Sequence, residues 1–438
     1  MKNISIQEPP RELLATIDPS LIKYARDKKT KREALPHVDT ATIKKLRLRD
    51  FDKALMVLLA TVGMMTTSQL RALLTCVPSE EAPIGFEGML SDLMERYGVA
   101  FNSRKVFGGL HSDQAAYLKM RSCAQKGLVR TVMQGGTAAV QTELKGGGVE
   151  VVWMLTPLGA AAILNLSIKD NLSVDDIRFC IHDTKVALVS QIHDIGVSAY
   201  LTALCVGSSW YNNREEKPIQ VDICQVVGDG HDFTTNGKKF RPDLSVVTFI
   251  KSVFIPTMIE WDTGRTSRDS IEDKAFRFQQ LMLNATDGSW SAGRPWLVFA
   301  TTSDAKAKVH ETAIRNAARK AGLMNKDYAS DWAGIVITTH KDIGQHSPYG
   351  AIYRVFDYET GKFGSDKYTL VSLYRAKRET LPVVDESGTA EAPVPEHTMP
   401  PEWVTMKKGA STALVGYRDD EIEITPASAS IGWQSEVA

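Results

Sequence analysis

Three carboxylates fall within a short span of this chain: Asp243 in Arg241-Pro242-Asp243, then Glu260 and Asp262 in Glu260-Trp261-Asp262. The runs Leu244–Ile250 and Thr257–Ile259 beside them are apolar and rich in β-branched residues, the composition of strands. Glu260 and Asp262 are two residues apart, so on a strand both project from the same face. An antiparallel hairpin would bring Asp243, at the start of one strand, beside them at the end of the next. Clustered carboxylate oxygens are hard donors of the kind that Mg²⁺ (or Mn²⁺) selects. Asp243, Glu260 and Asp262 are therefore the expected metal ligands.

A helix must follow. Asp269-Ser270-Ile271-Glu272 has the spacing of a capping box, and Ile271, Ala275, Phe278 and Met282 recur at helical intervals. At about 100° per residue, Lys274 falls inside that apolar stripe, away from Asp273 and Gln280. A lysine turned toward a carboxylate-bearing sheet suits a phosphate or a developing negative charge. Arg265, in Thr263-Gly264-Arg265, is the second basic candidate. The expected catalytic group is thus Asp243, Glu260, Asp262, Lys274 and Arg265.

Pro-Asp, a strand with Glu-x-Asp, Thr-Gly-Arg and a helix with an inward Lys together resemble the replication-relaxation family, which includes the MobC-type plasmid mobilisation relaxases. That family is considered an offshoot of the PD-(D/E)xK nucleases. The parent motif places Lys two residues after the Glu; here that position is Asp262. The basic role has moved to Lys274 or Arg265, or has been lost. The resemblance implies nicking of plasmid DNA at a transfer origin during mobilisation and conjugation. Its implied partners are double-stranded DNA with an origin-like site and other mobilisation or type IV secretion coupling proteins.

Composition sets wider bounds. The 438 residues are 43% hydrophobic and 24% charged with a formal net charge of +0, ordinary for a soluble protein of two or three domains. Nucleic-acid binding would need a local basic surface. The cysteines Cys76, Cys123, Cys180, Cys205 and Cys224 are scattered, which suggests neither a zinc site nor a disulfide framework. No apolar run reaches membrane-spanning length and the first residues do not read as a signal peptide, so the expectation is a cytoplasmic protein without membrane insertion.

In chain order, residues 1–49 read as a flexible basic arm: between Leu21 and Arg49, ten Lys and Arg face three Asp and Glu. Such an arm can follow a phosphate backbone or simply be a solvated leader. Residues 50–170 read as a winged helix-turn-helix. An amphipathic helix from Phe51 breaks at Val62-Gly63, and a second helix restarts through Met64-Met65-Thr66-Thr67-Ser68-Gln69. One insertion helix is expected over Phe86–Tyr97. A helix from Ser112, a hairpin from Gly127 to Leu155, and a helix opened by Thr156-Pro157-Leu158-Gly159 complete the pattern. Expected DNA contacts are Thr67, Ser68, Gln69 and Arg71 on the early helix, with Lys119, Arg121, Lys126 and Arg130 farther on.

Residues 171–376 read as a restriction-endonuclease-like (PD-(D/E)xK) domain of α-β-β-β-α-β order, giving an α+β / α/β multidomain chain. Its first helix, expected over 174–203, carries two His-Asp pairs eleven residues apart. They are separated by about 16 Å along the axis, too far to share one ion. Residues 377–438 read as an acidic, Pro-rich, weakly ordered tail with an apolar run at Ser411–Tyr417. Three function classes follow: a metal-dependent nuclease or relaxase, a non-catalytic DNA-binding accessory protein with a degenerate nuclease fold, and a defence-type DNA endonuclease.

Overall fold

A computed structural model describes residues 22–24, 45–75, 86, 89, 113–131, 151–166, 188–213, 220–228, 233–235, 238–250, 253–284, 294–326, 329–373, 403–408, 411–418 and 421–424, with short strand segments between 133 and 150. Most of the basic arm and of the insertion helix, and all of residues 171–187, lie outside the described residues. The chain divides into two compact units, one spanning Pro9–His231 and the other containing Asp232–Ala438.

In the first unit, β1 (Ile22–Tyr24) precedes α1 (Asp50–Val62), β2 (Met64–Thr66), α2 (Thr67–Thr75) and α3 (Asp113–Gln125). Next come β3 (Val129–Thr131), short strands β4 (Met133–Gln134), β5 (Thr137–Ala138), β6 (Val140–Thr142) and β7 (Val149–Glu150), then β8 (Val152–Leu155) and α4 (Pro157–Leu166). β8 lies between β2 and β3, antiparallel to both. The strand β2 departs from the sequence reading, which continued the second helix back through Met64. Positive φ at Gly63 ends α1, and the next three residues pair with β8 (Met64 with Met154, Thr66 with Val152) before α2 begins. Cross-strand pairing there outweighs local helical preference.

The start of α2 is a reciprocal cap: Thr66 N donates to Gln69 Oε1 (2.8 Å), and Gln69 N donates to Thr66 Oγ1 (3.1 Å). Thr156-Pro157-Leu158-Gly159 is a second clamp. Thr156 Oγ1 donates to the Gly127 carbonyl (2.5 Å) and accepts from Gly159 N (3.0 Å), while Pro157 begins α4, where a missing N–H costs nothing. A Cβ at Gly159 would stand 2.1 Å from the Leu128 carbonyl oxygen, so only glycine allows this approach. The helix α5 (Leu188–Asn213) and strand β9 (Val221–Gly228) belong to this unit by their contacts, whereas the sequence reading assigned them to the second domain. Gln69 Nε2 donates to the Ile195 carbonyl (3.0 Å), and Met64, Val152, Met154 and Ile195 form one buried cluster.

The second unit opens with the ribbon β10 (Phe233–Thr235) and β11 (Lys238–Phe240), then β12 (Leu244–Ile250), β13 (Val253–Trp261), α6 (Arg268–Leu283), β14 (Trp296–Thr301) and α7 (Asp304–Lys320). α8 (Ala329–Trp332), β15 (Ile335–Thr339), α9 (His340–His346), β16 (Arg354–Asp357) and β17 (Lys362–Phe363) follow. Within this unit the strands are hydrogen-bonded in the order β17-β16-β15-β14-β13-β12. β12 and β13 are an antiparallel pair, β13, β14 and β15 run parallel, and β16 and β17 return antiparallel. β12, β14 and β15 are buried along their whole length, as parallel and mixed sheets covered on both faces require. Pro256 is tolerated in β13 because pairing with β14 begins only at Thr257.

The expected capping box at Asp269 is displaced by two residues. Ser267 caps α6 by accepting from Ser270 N (3.2 Å), and Glu272 instead reaches α7, where it meets Lys320 and accepts from Asn316 Nδ2 (3.1 Å). In the region read as a weakly ordered tail, β18 (Trp403–Lys408), β19 (Ser411–Arg418) and β20 (Glu421–Ile424) form an antiparallel meander, and the apolar run Ser411–Tyr417 is its central strand.

Candidate functional site

The register of β12 on β13 pairs Leu244 with Ile259, so Asp243 stands beside Glu260 at one end of the hairpin. Both carboxyl groups are buried, at 8% and 2% exposure. Trp261 N donates to Asp243 Oδ2 (2.7 Å), which fixes that carboxylate against the neighbouring strand. Lys274, on the second turn of α6, brings its ammonium into contact with Glu260 Oε2 and within 3.5 Å of Asp243 Oδ1. Burial alone would lower the ammonium pKa, but Glu260 and then Asp243 outweigh it and hold the group protonated above the ordinary lysine range. The lysine side chain keeps 34% of its surface open to solvent.

Asp262 has a different task. Its Oδ1 accepts from Gly264 N (2.8 Å) and Thr266 N (3.4 Å), and its Oδ2 accepts from Thr301 Oγ1 (3.3 Å). This closes the turn between β13 and α6 in the manner of an Asx turn. Gly264 has φ +80 there, and a Cβ would come within 3.0 Å of Thr302 Oγ1. The expected group of three carboxylates is thus two carboxylates and an ammonium, with the third carboxylate spent on the turn. Among the described residues no group of three or more His, Cys, Asp or Glu side chains has metal-holding spacing. Arg265, at the tip of that turn, is exposed.

Two histidines border the site without having been singled out from sequence. His310 of α7 is fully buried; its Nδ1 is 3.0 Å from the Lys306 carbonyl, and its Nε2 is 3.5 Å from Asp262 Oδ2. Burial lowers its pKa, so the neutral ring donates from Nδ1 to Lys306. His340 stacks on Trp261 on the opposite face of the sheet (centroids 4.0 Å, planes 10° apart), with Nε2 3.3 Å from the Ala300 carbonyl. No motif announces either residue, since each is placed by strands far away in sequence.

Burial pushes the His340 pKa down to about 4. A histidine more basic when unfolded than when folded takes up protons on unfolding, so its contribution is intact above about pH 6.5 and is lost as pH falls toward about 4. The expected loss over that window is about 3 kcal/mol. Urea unfolding at pH 7 and pH 5 checks it: His340→Gln should flatten the pH dependence, and an unchanged slope would remove His340 as the cause.

In the first unit the expected DNA contacts separate by burial. Thr67 and Gln69 are buried, at 8% and 1%, with Thr67 Oγ1 accepting from Trp153 Nε1 (2.9 Å) and Gln69 engaged in the cap and with Ile195. Their polar atoms hold the unit together, which corrects the reading of both as surface contacts. Ser68 is half-buried, and the Arg71 side chain lies outside the described residues. Lys126 is drawn inward by Asp52, which also accepts from Cys123 Sγ (3.0 Å). Arg130 is half-buried on β3, while Lys119 and Arg121 are exposed on α3. Gln114, Tyr117, Leu118, Arg121 and Gln125 are all exposed, and their spacing puts them on one stripe of that helix. Helical periodicity marks Met120 and Cys123 as the inward residues of α3 but gives no signal that the apolar Tyr117 and Leu118 stay exposed.

His193 and Asp194, the second His-Asp pair, contact each other (3.1 Å) on α5; the first pair lies outside the described residues. No described helix is long and apolar enough to cross a membrane. No family model, curated protein or solved structure matches the chain.

Proposed function

We propose that this chain is a DNA-binding, divalent-metal-dependent nuclease of the relaxase kind, with the carboxylates of the β12–β13 hairpin as its reaction centre. The observation that carries this reading is the convergence of Asp243, Glu260 and Lys274 at the end of that hairpin. An antiparallel pair followed by a helix and a parallel strand is also the connectivity that a PD-(D/E)xK core would have. The helix–strand–helix–helix–strand–strand–helix order around the β2-β8-β3 sheet likewise suits a winged helix-turn-helix.

Two buried carboxylates fit Mg²⁺ or Mn²⁺, which commonly take one or two protein carboxylates and complete their shell with water and phosphate oxygens. Asp243 and Glu260 would hold the ion; Asp262 would position the turn. Such an ion supplies charge neutralisation at the phosphate and a more acidic bound water. Lys274, whose ammonium is held protonated by its neighbours and whose side chain reaches solvent, would steady the negative charge on a phosphodiester. Asp243, fixed by Trp261 N, would keep the pair in register. Nicking of supercoiled plasmid DNA with and without EDTA tests the reading. The resemblance to the replication-relaxation family suggests a transfer origin as the site and mobilisation as the setting, with coupling proteins as further partners.

The α3 stripe is the surface best suited to duplex DNA in this reading. Arg121 and the two glutamines can reach base edges, Leu118 and Tyr117 can meet thymine methyl groups, and Lys119 can meet phosphate. The expected outcome of Arg121→Ala is a loss of about 1–3 kcal/mol in duplex binding that depends on sequence. Lys119→Ala should weaken all sequences alike and lower the salt slope by about one. Fluorescence anisotropy against salt distinguishes them, and equal, sequence-independent effects would remove the base-reading role.

A second reading is a non-catalytic DNA-binding accessory protein. It is favoured by one observation: Lys274 already pairs with Glu260 and Asp243, and Asp262 is committed to the turn. DNA binding without nicking under any divalent ion would select it.

A further inference from the structure

The place a divalent ion would take between Asp243 and Glu260 is held by the chain's own ammonium. We propose that Lys274 is a displaceable resident cation, which must leave the Asp243–Glu260 pair before a divalent ion seats there. The inference rests on the metal-dependent reading above and concerns how that site is regulated.

Four observations carry it. The ammonium touches Glu260 Oε2 and lies 3.5 Å from Asp243 Oδ1, so a dication at the same oxygens would meet a like charge at contact distance. Both carboxylates are buried, and some cation must offset them while the protein is folded. The oxygens of Asp262 are engaged by Gly264 N and Thr301 Oγ1, which commits that carboxylate to the turn and leaves Asp243 and Glu260 as the pair the ammonium bridges. The lysine stem comes from α6 rather than from the strands, and 34% of the side chain is solvent-exposed, which gives the ammonium a way out on a flexible stem.

A consequence is coupling between ligands. A DNA phosphate near the exposed end of the side chain gives the ammonium a new partner and frees the carboxylates. DNA and the divalent ion then each favour the other's binding, by the same factor.

The test is calorimetric titration of Mn²⁺ into the full chain, with differential scanning fluorimetry alongside. Lys274→Gln should bind Mn²⁺ on the order of tenfold or more tighter than the parent, and Mn²⁺ should raise its Tm by more than it raises the parent's. Lys274→Arg keeps a cation on the carboxylates and should bind no tighter than the parent. Should Lys274→Gln bind no tighter while Asp243→Asn abolishes binding, the metal site stands and the resident-cation role is overturned. The same holds if Lys274→Arg tightens as much as Lys274→Gln. If neither the parent nor Lys274→Gln takes up Mn²⁺, the metal-dependent reading falls and this inference falls with it. Where Lys274→Gln does not fold without metal, refolding in Mn²⁺ but not in Na⁺ supports the role, and failure in both overturns it.

Discussion

Glu260→Ala should lower metal-dependent nicking of supercoiled DNA by about 10³-fold or more, with duplex binding unchanged. The size follows from geometry. Glu260 is 2% exposed, lies beside Asp243 in the hairpin register and contacts Lys274, so its removal takes away one of the two proposed anionic ligands and the ammonium's nearest partner. Asp243→Ala should do the same and also release Trp261 N from its acceptor. Folding should survive the Glu260 change, because Lys274 can turn to solvent and leaves no cation buried alone. Circular dichroism and anisotropy with labelled duplex establish that the variant is folded and binds. Nicking at the parental rate by both variants would show that the chemistry lies elsewhere.

Gly159→Ala should cost the first unit about 3 kcal/mol or more of stability. The new methyl would stand 2.1 Å from the Leu128 carbonyl oxygen, which is backbone and also receives Thr156 N (3.1 Å) and Thr156 Oγ1 (3.1 Å). Relief means moving α4 away from the β3 connection and breaking the Thr156 clamp. Urea unfolding read by tryptophan fluorescence, to which buried Trp153 contributes, measures the loss. A change under about 0.5 kcal/mol, the range of neutral surface substitutions, would mean that the approach at Leu128 relaxes freely.

These two outcomes mark where local pattern was informative. Leu-Thr-Pro-Leu-Gly could be seen in the sequence as a helix opening, because capping hydroxyl, first-turn proline and close-packed glycine each have a local signature. The same holds for the strands around Asp243 and Glu260 and for the inward side of α6 at Lys274, since periods of two and 3.6 residues report which face turns in. The cap of α6 was displaced because Glu272 found Asn316 and Lys320, partners some forty residues away in sequence. β2 was missed because its pairing with β8 bridges about ninety residues. Thr67 and Gln69 looked like surface groups, and Trp153 and Ile195 made them interior ones.

From the order of residues alone came the element types along most of the described chain, the pairing of Asp243 with Glu260 and the candidacy of Lys274, because each depends on near neighbours and on alternation. Folding in three dimensions decided that Asp262 closes a turn, that His310 and His340 flank the sheet, and that the exposed stripe of the first unit lies on α3. Those assignments depend on which distant strands and helices supply hydrogen-bond partners and exclude water, and such partners have no fixed spacing along the chain.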